Sequence, residues 1–535
     1  MKGNSVACAS TIDVALERDL SAMLGPEGLL SDEASIELHS SDLLGRAGRC
    51  RLVIRPDNQD QLVEAVRRIA PTGMPLMPRG GGLTYVGGYV GTGVDWVAVD
   101  LRRMNRILSI DEEDMVVTVE PGVTWLQLYE ALQEKSLRLP FFGTFSGRGA
   151  TVGGGLSNGA LFLGTARYGT SADIVLGLEV VTADGAVVHT GQKAVANAPK
   201  PFLRSFGPDT TGLFIHDAGA LGIKCKASLR MIRKPAHTDF LSFGFPDRDA
   251  AIAAICEIGR AELAEDAYVM DPDKTRQALA APSDLIRDVK TLGKVVAQEQ
   301  GLLRGLKAGA KLALAGRDFI EDGCFSLHLV LAGRSRASVD EDMGAARQIA
   351  AKLGGRELPN SIPKAGRAEM FSPLDAVLGA TGDRWVALNG KVPHSQAKAL
   401  VDDLEQLLAD NADALRESGV VVSRLITIMG NHAFSYEPVF NWHDEWLPMH
   451  EATLSAKALR DLPRPPANGA TRALVMRLRQ EIVAVFARHG AASNQIGRTY
   501  PYASILRPES RALLEGVKRT LDPDMRMNPG ALELG

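Results

Sequence analysis

Cysteine, aromatic side chains and long apolar runs are all scarce in this chain of 535 residues. Its five cysteines, Cys8, Cys50, Cys225, Cys256 and Cys324, are scattered, odd in number and never in C-x-x-C spacing. That argues against a disulfide framework or a thiolate zinc site and fits a reducing compartment. No stretch of 18 or more apolar residues occurs, so no membrane-spanning helix is expected. The first 19 residues lack a charged start followed by an apolar run, so no signal peptide and a cytoplasmic location are expected. A formal charge of only −4, from 60 basic and 64 acidic residues, gives no footprint for a nucleic-acid partner. With 45% hydrophobic and 23% charged residues the chain is not disordered, and its length predicts several domains.

Glycine, by contrast, is abundant and clustered. Of 54 glycines, seven fall within residues 79–93 and nine within residues 143–169. No three-residue glycine period exists, which excludes a collagen-like architecture. Two glycine-rich loops far apart in sequence point to one phosphate group approached from two sides. Glycine tolerates positive φ and has no side chain to keep amide N–H groups from converging on an anion. The common nucleotide fingerprints fail: Gly80-x-Gly82 would need glycine at Tyr85, Gly153-x-Gly155 meets Asn158, and no G-x-x-x-x-G-K-[ST] occurs. A Rossmann NAD site and a P-loop are therefore disfavoured. Gly155-Leu156-Ser157-Asn158-Gly159 is a literal G-x-S-x-G and invites a serine-hydrolase reading at Ser157. Against it, three consecutive glycines precede the serine and no HGGG-type segment accompanies it.

Residues 1–45 read as an irregular or helical lead-in. Residues 51–55 (RLVIR) suggest a strand, after which Asp57 can cap a helix carrying Leu62, Val63, Val66 and Ile69 at helical spacing. Residues 96–99 and 115–120 are strand-like and 125–134 helical. Residues 174–182 and 186–189 flank Asp184-Gly185, a two-residue hairpin signal. Beyond Pro235 a strand-then-helix order recurs three times, at 240–245 with 249–264, 325–331 with 338–353, and 385–392 with 395–409. Residues 421–430 add a strand and 471–489 a helix. The expected organisation is a lead-in (1–45), a first domain (46–236), a second α+β domain (237–490) and a closing segment (491–535). Residues 301–317 (GLLRGLKAGAKLALAGR) hold four basic and no acidic residues. They suggest a peripheral contact with an anionic membrane, against the plainer reading of a solvated basic helix or a mobile loop.

Pro78-Arg79-Gly80-Gly81-Gly82-Leu83-Thr84, then VAVDL at 97–101 and Val119-Glu120-Pro121-Gly122-Val123-Thr124, resembles the FAD-binding half of the vanillyl-alcohol oxidase / p-cresol methylhydroxylase superfamily. Ala150-Thr151-Val152-Gly153-Gly154, Arg167-Tyr168-Gly169 and VLGLEVVTADG at 175–185 are similar to its second signature. Gly219-Ala220-Leu221-Gly222-Ile223 and Met527-Asn528-Pro529-Gly530 are similar to two more. The resemblance implies an α+β fold, with a PCMH-type FAD-binding domain of two subdomains and a cap, 237–490, of repeated strand–helix units. It implies that FAD is held by Pro78, Arg79, Gly80, Gly81, Gly82, Leu83 and Thr84 from one side. Gly143, Ala150, Thr151, Val152, Gly153, Gly154, Ser157, Asn158, Tyr168 and Gly169 would hold it from the other, with Gly222, Ile223 and Asn528. Members with covalent flavin carry His where this chain has Leu83, or Cys about where Gly149 stands, so non-covalent FAD is expected.

The D-lactate and glycolate branch of that superfamily carries a metal-binding H-x-G-D-G-N-x-H in its cap. Here residues 426–433 read ITIMGNHA, with Ile426 and Ala433 at the expected histidines, and no metal is expected. Its later S-x-E-H-G-I-G corresponds to Ser493-Asn494-Gln495-Ile496-Gly497. Phe434, Tyr436, Phe440, Trp442 and Trp446 crowd into thirteen residues of a chain with only 29 aromatics, and Tyr500 and Tyr502 lie near Arg498. Two readings stand: a flat pocket in which Arg498 and Tyr500 stabilise a phenolate or carboxylate, or an aromatic strand packed in the cap core. His432 and His443 are candidate bases, with Tyr436 and Glu437 behind them. The implied activity is hydride transfer from a CH–OH group to flavin N5. The small-molecule substrate would be an aromatic or phenolic alcohol, or a 2-hydroxy acid of the D-lactate or glycolate type. A non-catalytic flavoprotein is the reading from another class. The electron acceptor stays open among O2, a quinone and a carrier protein, and a homodimer is compatible with the sequence.

Overall fold

The computed structural model describes residues 14–275, 323–371, 379–454 and 456–535. Around the first glycine cluster, the β-branched runs form a four-stranded sheet in the order Leu29–Leu30, Arg49–Ile54, Val94–Asp100, Leu76–Arg79. Arg49–Ile54 and Leu76–Arg79 both run parallel to Val94–Asp100. Parallel strands need a crossover, here the helix Gln59–Ile69, which turns Leu62, Ala65, Val66 and Ile69 inward. Its cap is Asn58, which accepts from the Gln61 amide at 3.0 Å, whereas Asp57 pairs with Arg103 at 2.8 Å. The lead-in supplies two helices, Val14–Leu24 and Glu33–His39.

A five-stranded antiparallel sheet completes the first half: Ile107–Asp111, Val116–Val119, Ile223–Arg230, Val175–Val181, Val187–His189. Its last connection is longer than the expected two residues. Val181 pairs with Val187, so residues 182–186 form the loop, closed by the Ala186 amide donating to Asp184 Oδ1 at 3.0 Å. Gly185 supplies the left-handed turn residue at φ +79.

From His237 onward the chain builds an eight-stranded sheet in which every pairing is antiparallel. The three anticipated strand–helix units are all present, with helices Arg248–Arg260, Arg336–Lys352 and Ala397–Asp410. These helices pack on one face of the sheet and, with Gly469–Arg488, enclose the largest core. The other face turns toward the first half, where helix Thr165–Tyr168 lies against Asp266–Met270 and Val421–Met429. No helix among the described residues is long and apolar enough to cross a membrane, and the basic stretch 301–317 lies outside them.

Candidate active site

Strand Leu76–Arg79 ends by delivering the Arg79 side chain inward, and the first glycine loop winds around it. Arg79 Nη1 donates to the carbonyls of Leu38 at 2.9 Å and Ser41 at 3.2 Å, and its guanidinium lies 4.7 Å from the Tyr89 ring centroid. Tyr89 Oη donates in turn to Gly82 O at 2.5 Å. Gly82 adopts φ +71, and a Cβ there would collide with the guanidinium. Arg79 is thus the core of the loop rather than an arm reaching into the site. The backbone amides of Gly80, Gly81, Gly82, Leu83 and Thr84 find no acceptor within the chain among the described residues.

The second loop opens the helix Val152–Asn158, capped by Thr151, whose Oγ1 accepts from the Gly154 amide at 3.3 Å. The two loops touch. A Cβ on Gly80 would strike Thr151 Oγ1, one on Gly81 would strike the Gly149 carbonyl, and one on Gly153 would lie 2.6 Å from Pro121 Cβ. Glycine is required here for close backbone approach.

Between the loops and the free face of the cap sheet lies a cavity of about 860 Å³. FAD fits the donors and acceptors on its walls. The free amides of the first loop suit a pyrophosphate. Thr84 Oγ1, Asn158 Oδ1 and Gln495 Oε1 of its lining are buried without a hydrogen-bond partner among the described residues. A buried ammonium, Lys224 Nζ, stands at the same wall, donating to Ser157 Oγ at 2.7 Å and Asp217 Oδ1 at 2.6 Å.

Of the expected cofactor residues, Pro78 to Thr84, Ala150, Thr151, Gly153, Gly154, Ser157, Asn158 and Gly222 line the cavity. The others stand behind its wall. Gly143, at φ +84, packs on Trp125, and Val152 and Ile223 are core residues. Tyr168 lies 5.5 Å from the Arg138 guanidinium, and Gly169, at φ +78, abuts Asp173. Asn528 Nδ2 donates to Gly88 O at 2.7 Å and Ala218 O at 2.5 Å. No histidine lines this cavity among the described residues, and the one amine on Ser157, Lys224, is ion-paired to Asp217, which disfavours the serine-hydrolase reading.

The expected catalytic side chains are not brought together. His432 is exposed at the hairpin turn before strand Ala433–His443, and His443 is exposed at the last position of that strand, 3.4 Å from Asp383. Arg498 donates to Gly87 O, to Asn528 Oδ1 at 2.7 Å and to Pro529 O at 2.6 Å, which fixes the closing segment behind the first loop. Tyr500 accepts from the Asn389 amide at 2.9 Å and stacks on Phe486, with ring centroids 6.5 Å apart. We therefore expect Arg498→Ala to act on stability, lowering it by roughly 1.5–3 kcal/mol through the lost charged hydrogen bonds. Thermal unfolding checks this, with KM of the variant that remains folded unchanged.

The aromatic cluster follows the two-residue period of strand Ala433–His443. Phe434, Tyr436, Phe440 and Trp442 point into the helix-covered core, where the Tyr436 hydroxyl is bonded to Glu405. Glu437 and Asn441 point the other way, into the cavity. The packed-strand reading of these aromatics holds, and the cavity draws its own aromatic walls from Tyr85, Tyr268, Trp385, Phe145 and Phe162.

What meets Glu437 was not anticipated. Burial raises its pKa to about 7, against the pull of Lys274 and Lys391. The same burial depresses Lys391 to about 7, with Glu437 opposing. Lys391 Nζ donates to Asn389 Oδ1 at 3.3 Å and to Asn494 Oδ1, and both asparagines line the cavity. Lys274 Nζ lies 5.6 Å from the Trp385 ring centroid. The available signal was Lys391 itself, a charge set in an otherwise apolar strand, Gly390–Pro393.

A mixed first half with two interlocked glycine loops, capped by a helix-backed antiparallel sheet, defines the FAD-binding oxidoreductase class. Residues 234–532 match the family model described as FAD linked oxidases, C-terminal domain, and residues 50–191 match the FAD binding domain model. The chain belongs to the FAD-linked oxidase family. It is 30% identical over 249 residues to glycolate oxidase subunit GlcD of Bacillus subtilis, covering 46% of this chain and 51% of that protein. It is 32% identical over 225 residues to a mitochondrial D-lactate dehydrogenase [cytochrome] of Arabidopsis thaliana, covering 41% and 38%. The chain thus spans about half or less of the length of these curated relatives. A crystal structure of p-cresol methylhydroxylase with substrate bound superposes with a TM-score of 0.69 at 19% identity, over 97% of this chain and 96% of that one, a likeness of fold.

Proposed function

We propose that this chain oxidises the carbinol carbon of a small 2-hydroxy acid, with Glu437 as the base and Lys274 and Lys391 holding the carboxylate. The observation that carries this reading is the placement of one acid, Glu437, and one amine, Lys274, on the cavity wall where the cap sheet closes it, with the Lys391 amine directly behind the lining residues Asn389 and Asn494. FAD, bound without a covalent link, supplies the acceptor for the hydride. Glu437 takes the hydroxyl proton on its carboxylate, while the lysines fix the substrate so that its C–H faces the cofactor. Tyr268 and Trp385 exclude water from that end of the cavity. Two cations against one anion favour a monoanionic substrate, since the net charge then cancels. The aromatic walls favour a bulky apolar substituent, and a neutral aryl alcohol is the second reading they support.

The test is anaerobic bleaching of the flavin band with D-lactate, glycolate, 2-hydroxyglutarate, a 2-hydroxy acid with an aryl group, and 4-hydroxybenzyl alcohol. Bleaching by hydroxy acids is expected; bleaching by the alcohol alone would overturn the proposal. The reduction rate should peak near neutrality. Below about 7 Glu437 is protonated and cannot accept, and above about 7 Lys391 loses the charge that holds the carboxylate.

A further inference from the structure

The wall that carries Lys224 has a second side. Behind it, a cavity of about 450 Å³ lies between residues 212–221, the helix Gly469–Arg488 and the closing segment. Leu213, Leu221, Phe486, Ile496 and Leu514 make its lining largely apolar. One polar atom of its lining residues, Asp217 Oδ2, is buried without a partner among the described residues, and Asp217 is only 2% exposed. A group left so is costly unless something meets it. The Nε2 edge of His216 packs against Gly159, so its Nδ1 edge is the one left for a ligand. Burial lowers the His216 pKa to about 4, so its ring is neutral, with one nitrogen a donor and the other an acceptor.

The two cavities share a wall one residue thick. Ala218, Gly222, Asn494 and Gln495 face the first, while their chain neighbours Asp217, Leu221, Ser493 and Ile496 face the second. Side chains bridge the wall too. Asp217 accepts from Lys224, and Tyr500, on the second cavity, accepts from the amide of Asn389, on the first. Outside, Leu213, Ile505 and Leu513 leave an apolar rim, at 36%, 53% and 72% exposure.

We infer that the second cavity binds the ring of a quinone-class electron acceptor, with its lipophilic chain over Leu213, Ile505 and Leu513. A quinone ring is flat, uncharged and apolar with an oxygen at each end, which suits apolar walls bearing a few polar groups. Its carbonyl accepts from His216, and the hydroxyl of its reduced form donates to Asp217 Oδ2. The step balances: the substrate C–OH loses two electrons and two protons to become C=O, and the quinone gains two of each to become a hydroquinone. The inference rests on the proposed function only for the source of the electrons.

The test bypasses that source. The holoenzyme flavin is photoreduced anaerobically, then mixed with 2,3-dimethoxy-5-methyl-1,4-benzoquinone or its 6-decyl analogue while flavin absorbance recovers. Wild type should show a rate that saturates with quinone, at lower concentration for the decyl form. Leu514→Trp, filling the cavity, and Leu213→Trp, narrowing its mouth, should each raise the half-saturating quinone concentration at least tenfold. Reoxidation by ferricyanide should stay within twofold. A rate linear in quinone with one slope for all three proteins overturns the site, as does equal slowing with ferricyanide. A failed substrate panel leaves this result readable, so the two proposals fail separately.

Discussion

Glu437→Gln is expected to slow anaerobic flavin reduction by about 10²–10⁴-fold, the usual contribution of a positioned general base. Glutamine keeps the shape and the hydrogen-bonding reach of the side chain, but it cannot take a proton. FAD should be retained with an unchanged visible spectrum, because Glu437 faces the cap end of the cavity rather than either glycine loop. The acid limb of the pH profile should vanish, while the alkaline limb set by Lys391 shifts downward, since Glu437 is the group that opposes the loss of its proton. Substrate affinity should hold or improve, because two lysines then face an anion with no competing carboxylate. Stopped-flow reduction at several pH values and substrate concentrations measures the rate, both limbs and the affinity; a rate within fivefold of wild type removes Glu437 from the chemistry.

Gly81→Ala is expected to weaken FAD binding by about 10- to 100-fold, the equivalent of roughly 1–3 kcal/mol of overpacking. Its new Cβ would meet the Gly149 carbonyl, with Gly149 C at 2.8 Å and Ala150 Cα at 3.2 Å. All of these are backbone atoms, so no side chain can rotate away, and the two loops must separate. Gly93→Ala is the control within the same glycine cluster. Nothing lies within 4 Å of a Cβ at that position and its φ is not positive, so FAD affinity should be unchanged. Titration of the apoprotein, followed by flavin fluorescence, separates the two. Equal affinities would mean that contact between the loops does not shape the cofactor site.

The cofactor half was legible because its chemistry is written in backbone. A glycine where two main chains must touch has no substitute, so Gly80, Gly81 and Gly153 mark the cradle without any knowledge of the fold. The cap end was harder, because side-chain roles there depend on facing. The aromatics 434, 436, 440 and 442 share one parity and Glu437 and Asn441 the other, a signal present in the sequence. Which parity faces helices and which faces cofactor follows only from the sheet's position. Arg498 shows a further limit. Its charge suggested an anion, but three acceptors of the chain itself, Gly87 O, Asn528 Oδ1 and Pro529 O, already occupy it. Lys274, in the helical turn after strand Asp266–Met270, and Lys391, 117 positions on, both act electrostatically on one carboxylate only because the sheet brings their elements together.

The first glycine loop is held from one side by Arg79 and from the other by Asn528 and Arg498, and the two sides are made at different times. Arg79 is tied to Leu38 and Ser41, while Asn528 is bonded to Gly88, 440 positions earlier in the chain. Contacts of such long range form late, after the loop-closure entropy has been overcome. On the ribosome, then, the first glycine loop emerges after Leu38 and Ser41 but hundreds of residues before Arg498 and Asn528. We expect the cradle to reach its final shape only when residues 498–528 fold back against that loop.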